Sequence, residues 1–431
     1  MARLLVATVP LTGHVQPMRL VVRELVARGH DVRWYGARKF APLIEATGAR
    51  FAAMRAAPDW DDAVVEEALP ALRGTRGLAR VKLQLREMFI APMADQLRDL
   101  EELVDAEPAD AILADSAHLG AALLHERRQL PWASLGISAL MMPSPDVAPF
   151  GSALPPERGS RFLNWLIFRV VFGEVNRAYR RARAAAGLPA GAGTYFDVWS
   201  PQLFLQPTVE AFEYPRRDLP PQVHFIGPLV PGDAPASLPA WWQDLDDARR
   251  RGRPIVLVTQ GTLATDPREL IVPTLRALAD EPVLVVATLG TGDRALVGEV
   301  PANARVEAFV PYQALLPHAA VMVTNGGYGG VQMALRHGVP LIVAGGSEEK
   351  PEIAARAKWS RTGIDLRTGS PRPAKVRAAV QRVLSDASFR ARAQQIALDM
   401  ARHDAPAEAA ALIEALVARR TQIARALPAA A

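Results

Sequence analysis

Short apolar runs, each followed by a stretch with the periodicity of an amphipathic helix, recur along the chain in two separate series. In the first series, residues 3–9, 31–35, 111–114 and 131–137 read as strands. A polar turn over 12–16 leads from the first of them into a helical pattern with Leu20, Val21, Leu25 and Val26 on one face, closed by Gly29. A second helix over 40–46 stops at Gly48. Alternation of this kind predicts a parallel sheet with helices on both faces. Then Pro228, Pro231, Pro235 and Pro239 interrupt any regular element, and a polar helix over 241–251 follows. The alternation restarts with strands at 255–259, 283–287, 305–309, 321–324 and 341–344. Two doubly wound α/β units joined by a connection are the expectation.

The length of 431 residues agrees with two domains. Cys is absent, which removes disulfides, thiolate metal sites and a thiol nucleophile together. The net charge of +5 is modest, and its arginines sit on helices with apolar opposite faces. No basic stretch is interleaved with aromatic platforms, so no nucleic-acid partner is expected. The N-terminal residues lack a basic leader region and a cleavage site, and no apolar run is long enough to span a bilayer. These features read as a cytoplasmic protein.

Ligands of such sheets bind beyond the carboxyl ends of the strands. That rule selects residues 10–16, 115–118, 260–262, 325–330 and 345–349. Among these, Asn325, Gly326, Gly327, Tyr328, Gly329 and Gly330 lie between a strand and a helix. Four glycines in five positions exceed what a turn needs and let backbone N–H groups approach a diphosphate at the helix's positive end. Gln260, Gly261 and Thr262 offer a second such loop. The acidic groups Asp59, Asp61, Asp62 and Asp244, Asp246, Asp247 fall in a loop and in the connecting helix, where caps and solvated turns account for them without a metal. The run 161–172, with Phe162, Trp165 and Phe168, is apolar nearly all round, which reads as core or pocket wall in preference to membrane contact.

The order Phe309-Val310-Pro311, Leu315-Leu316-Pro317-His318, Asn325-Gly326-Gly327 and Gly338-Val339-Pro340, with Gly13-His14-Val15-Gln16-Pro17 near the start, resembles the signature of GT-B family 1 glycosyltransferases. The resemblance covers both series and little of 143–220. It implies a GT-B fold of two Rossmann-like domains facing a cleft: an acceptor domain over 1–230, a linker over 231–253 and a nucleotide-sugar domain over 254–404. A last helix over 405–431 would return to the first domain. It implies inverting transfer of a sugar from a thymidine or uridine diphosphate donor to a hydroxyl of a small apolar acceptor, with the donor as co-substrate and no cofactor or metal. His14 would be the base, because imidazole titrates near neutrality. Asp115 would orient it.

Phe309 would stack on the base, with Val310 and Tyr312 beside it. Gly13, His118, Trp165 and Phe168 would contact the acceptor. Four positions depart from the family pattern. Asn325 replaces a phosphate-binding His, Gly330 a Ser or Thr, Met333 a ribose-binding Glu, and Glu349-Lys350 an Asp-Gln pair. A nucleotide-sugar epimerase and a non-catalytic sugar-nucleotide-binding partner are the rival readings. A dinucleotide-dependent dehydrogenase is disfavoured because no Gly-x-Gly-x-x-Gly follows the first strand.

Overall fold

The computed structural model describes residues 1–191, 193–231, 238–261, 266–346 and 348–426, with side chains to 419. The first seven strands are β1 Arg3–Ala7, β2 Asp31–Gly36, β3 Arg50–Ala53, β4 Ala111–Asp115, β5 Trp132–Leu135, β6 Leu203–Gln206 and β7 Val223–Phe225. They form one sheet in the order β3-β2-β1-β4-β5-β6-β7, and every recorded pairing is parallel. The other six are β8 Ile255–Thr259, β9 Leu284–Thr288, β10 Ala304–Glu307, β11 Val321–Thr324, β12 Leu341–Val343 and β13 Gly363–Asp365. They pair, again in parallel, as β10-β9-β8-β11-β12-β13. Both sheets reverse their winding once, between β1 and β4 and between β8 and β11. In an open α/β sheet the crevice for a ligand opens at that reversal.

The helices that matter to the site are α1 Thr12–Ala27, α2 Gly77–Gln84, α3 Met93–Ala106, α4 Leu119–Arg128, α5 Gln243–Arg250, α6 Ile271–Leu278, α7 Tyr328–Arg336, α8 Lys350–Trp359 and α9 Ala405–Ala426. None of the described helices is long and apolar enough to cross a membrane.

Helix α1 begins at Thr12, where the residue pattern suggests a turn. Its N-cap residue, Leu11, supplies no side-chain acceptor. The carboxylate of Asp62 takes that place from fifty residues away, accepting the Thr12 N–H at 2.6 Å and its hydroxyl at 3.2 Å. Lys39 binds the same carboxylate. The strands β3, β6, β7 and β13 also go beyond the sequence pattern; each has only three or four residues, too few for a readable period.

Helix α5 is not a free-standing connector. Leu245 and Ala248 are buried in the core of the second sheet, and Asp244 is paired with Arg305 at 2.6 Å. Helix α9 packs Ala405, Ala409, Ala410 and Ile413 into the N-terminal core. His30 on the loop after α1 meets Glu414 at 2.8 Å.

The two halves share a buried charge network. Arg356 on α8 meets Glu213 of the N-terminal half at 2.7 Å and Glu352 of its own helix at 3.1 Å. Glu213 also accepts the Leu140 N–H at 2.9 Å, and Glu352 accepts the N–H groups of Gly151 and Ala153 at 2.8 and 2.6 Å. The guanidinium lies 4.3 Å from the Tyr214 ring centroid. Burial works against the charge on Arg356, but Glu213 and Glu352 outweigh it and keep the group protonated. Replacing Arg356 by Leu strands two buried carboxylates, and such a loss costs about 3–5 kcal/mol. Urea unfolding of Arg356→Leu should register a destabilisation of that order, reduced when Glu213→Gln and Glu352→Gln are added.

Candidate functional site

Parallel pairing of β1 with β4 sets Ala7 opposite Ala114, so the residues just beyond both strands share one sheet edge. There the Asp115 carboxylate is 1% exposed and holds three hydrogens. Oδ1 accepts the Ala117 N–H at 2.8 Å and meets His14 Nδ1 at 3.0 Å; Oδ2 accepts the Val9 N–H at 2.8 Å. Burial presses toward the neutral acid. The nearby His14 and His118 charges and these hydrogen bonds outweigh it, and the group stays below the usual carboxylate range.

His14 stands in the first turn of α1. With Nδ1 on Asp115, its Nε2 is left for a ligand. Pro17 has no N–H, so the Gly13 carbonyl lacks a partner at the fourth residue on. A Cβ at Gly13 would meet nothing within 4 Å.

The facing edge belongs to the second sheet, at its own winding reversal. Asn325 follows β11 and donates its amide to the Gln260 carbonyl after β8, while its side-chain oxygen accepts the Gly327 N–H at 3.4 Å. The Gln260 side chain turns inward, accepting N–H groups of Leu270 and Ile271 at the start of α6 and donating to the Asp266 carbonyl. Both amides therefore brace the loops. Gly261 and Gly326 have φ of +76° and +94°, which disfavours any other residue. Thr262 lies outside the described residues.

Gly327 is the N-cap of α7, which begins at Tyr328. The N–H groups of Tyr328, Gly329 and Gly330 belong to the first turn, where no helical carbonyl precedes them. A Cβ at Gly329 would enter open space, whereas one at Gly326 would lie 2.9 Å from Val343 Cγ1. Two other α7 residues face the N-terminal half. Tyr328 receives the Gln206 amide on its hydroxyl at 3.0 Å, and Gln332 accepts from Thr208 at 3.1 Å. Met333 is half-buried against the same apolar cluster as Tyr312.

Phe309 is 73% exposed and free to stack, while Val310 is wholly buried, so only its backbone can serve a nucleotide. The Tyr312 hydroxyl bonds Thr288 at 2.6 Å. Glu349 caps α8, and Lys350 binds Glu348 at 2.7 Å. Burial and then Glu348 push the Glu349 carboxyl up, and the charge of His14 acts in the opposite sense, which puts Glu349 within electrostatic reach of His14.

Two acceptor expectations need correction. His118 is 1% exposed, edge-on to Tyr35 at 5.7 Å, and burial lowers it to about 4; its ring is packed inside the fold at the residue before α4. Phe168 is buried on Phe196 at 4.6 Å. Trp165 stacks on Phe162 at 6.0 Å and is 52% exposed. A hollow of ≈ 40 Å³ near Ser116, Tyr195 and Gln206 has room for water alone. Sequence reading missed Phe89, whose ring lies 6.3 Å from the His14 ring, and Asp62 as the cap of α1. Among the described residues no group of three or more His, Cys, Asp or Glu is arranged to hold a metal. Asp59 and Asp61 pair with Arg38 and Lys39.

With this geometry in hand, comparison with known proteins is direct. The family profile described as "Erythromycin biosynthesis protein CIII-like, C-terminal domain" matches residues 273–416. The chain is 44% identical to 4'-demethylrebeccamycin synthase of Lentzea aerocolonigenes, over 96% of this chain and 100% of that one. It is 33% identical to UDP-glycosyltransferase 2 of Phaeomoniella chlamydospora, over 91% and 90%. A calicheamicin glycosyltransferase structure superposes with a TM-score of 0.75 at 24% identity, covering 97% and 99% of the two chains, a likeness of fold. The chain belongs to the natural-product glycosyltransferases of GT-B fold. The protein is a glycosyltransferase that takes its sugar from a nucleotide donor.

Gly326 and Gly329, which the family resemblance assigns to the donor, should separate cleanly. Gly329→Ala fits without contact and adds helix propensity, so its melting temperature should hold or rise. Its methyl would stand where a phosphate approaches, and titration should find donor affinity about tenfold weaker, ~1.4 kcal/mol. Gly326→Ala should lose stability as well as donor binding.

Proposed function

We infer that the enzyme inverts the anomeric carbon as it moves a sugar from a nucleoside diphosphate to a hydroxyl of a small lipophilic acceptor. The observation that carries this reading is the buried His14–Asp115 pair at one winding reversal, opposite the glycine-rich start of α7 at the other. The relatives' names support the acceptor class, since they include a rebeccamycin-type synthase and a mycarosyltransferase.

In this mechanism His14 Nε2 takes the proton of the acceptor hydroxyl as its oxygen attacks the anomeric carbon. The new carbon–oxygen bond forms on the face opposite the breaking bond to the diphosphate, which gives inversion. Asp115 holds the tautomer and stabilises the imidazolium. The N–H groups of Tyr328, Gly329 and Gly330, at the positive end of α7, stabilise the charge that grows on the leaving diphosphate. A cytoplasmic location belongs to the same reading, as a chain without Cys has no disulfide to lose in a reducing compartment.

His14→Ala should lower turnover by about 10²–10⁴-fold, with donor affinity held because the donor groups lie in the other domain. Asp115→Asn should also slow turnover. Steady-state rates beside donor titration test both, and normal turnover in His14→Ala would remove it from the mechanism.

The nucleotide preference follows from Met333. A thioether offers a ribose hydroxyl almost nothing, and the charged hydrogen bond it replaces is worth about 1.5–3 kcal/mol. The Gln332 carbonyl is held by Thr208, which leaves it no acceptor to offer a ribose hydroxyl. Thymidine diphosphate sugars should therefore be used at least as well as the uridine forms, compared by kcat/KM for one sugar. A tenfold advantage for uridine would refute this, and Met333→Glu should move the ratio toward uridine.

A further inference from the structure

A single hydrogen bond fixes a point on an imidazole but not the plane of its ring. The bond from His14 Nδ1 to Asp115 leaves the ring able to tilt about that contact, and Nε2 swings with it. Acid–base chemistry tolerates a tilt of only about 10–20°. Something must therefore bear on the face of the ring, and the structure supplies one such group. The Phe89 ring lies over His14 with centroids 6.3 Å apart and planes 23° from parallel, within the range of offset stacking.

The way Phe89 is held is unusual. Between α2 and α3 the chain winds as a π-helical turn, Leu85–Ile90, in which the Ala91 N–H reaches back five residues to the Arg86 carbonyl at 2.8 Å. Pro92 immediately follows and cannot donate to the preceding turn. Wide turns of this type concentrate at functional sites. Phe89 packs on the N-terminal core on one side and on a small cluster of Val9, Leu11, Leu72 and Met88 on the other. Val9 and Leu11 belong to the segment that carries His14. From outside, Lys82 at the end of α2 is tied to Glu174 at 3.3 Å. The ring is thus clamped to the same backbone segment whose side chain it covers.

We propose that Phe89 is a positioning residue that sets the plane of the His14 ring and so aims Nε2 into the cleft. The proposal rests on the reading of His14 as the base. Phe89→Leu keeps most of the apolar volume and removes the flat wall. Its kcat should fall about tenfold while KM for donor and acceptor stays within about twofold, and its melting temperature should change little. Phe89→Tyr, which restores the wall, should recover most of kcat. A rise in acceptor KM at unchanged kcat would make the ring an acceptor platform and overturn the proposal. So would an unchanged kcat, or a loss that follows melting temperature in both variants. His14→Ala, measured alongside, separates the two readings. If it keeps its turnover, the base assignment fails. If it is inactive while Phe89→Leu behaves as native, the Phe89 proposal alone fails.

Discussion

A carboxylate buried to 1% exposure is tolerable only if its lone pairs are occupied, and Asp115 is where that requirement shapes the N-terminal half. Its three partners come from three places: the loop leaving β1, the turn leaving β4, and the first turn of α1. The same bonds that make the burial possible also fix where α1 starts relative to the sheet. Asp62 secures that start from the other side through Thr12. His14 is consequently held by its helix as well as by its side chain.

The distance between the two faces of the cleft depends on a second set of buried polar contacts. Tyr328 and Gln332 are one helical turn apart on α7, and they bond Gln206 and Thr208 at the end of β6. Because β6 lies in the same sheet as β4, the glycine-rich start of α7 is tied through rigid elements to the strand that carries Asp115. The Glu213–Arg356–Glu352 network does the same for α8, which begins at Glu349 and Lys350. Apolar residues from both halves, among them Phe212 and Val331, fill one cluster between them. A site assembled on helices and strands keeps its geometry better than one carried by loops alone.

How much of this was legible in the sequence varies by residue for physical reasons. The two winding units and their strand-end loops were readable, because buried parallel strands are short apolar runs with helices between them. The contact of His14 with Asp115 was expected from the resemblance of Gly13-His14-Val15-Gln16-Pro17 to a family loop, since a histidine beyond a strand end reads by itself as a surface residue. Phe89 and Asp62 were not readable, as they lie in the long crossover between β3 and β4, where no periodicity says which side chain returns to the sheet edge. What the Asn325 and Gln260 side chains bind was hidden in a different way. A polar side chain at a strand end looks like a ligand group, but an amide carries both donor and acceptor and can bind neighbouring backbone instead. His118 was misplaced because a loop position one residue before a helix carries no sign of which way its ring turns.

The inward turn of those amides changes how the donor face handles charge. Asn325 is spent on the Gln260 carbonyl and the Gly327 N–H, and Lys350 is neutralised by Glu348. In the proposed reading the N–H groups and dipole of α7 then supply positive potential to the diphosphate, an arrangement that suits a charge appearing only as the bond breaks. Glu349 is pushed toward its neutral form by burial and by Glu348, and a positive charge on His14 favours its ionised form. In the proposed reaction His14 acquires that charge when it takes the acceptor proton. Asp115, bonded to Nδ1 at 3.0 Å, then stands behind that imidazolium. Negative potential on the proton-accepting side and positive potential at the diphosphate therefore follow the direction in which charge separates during transfer.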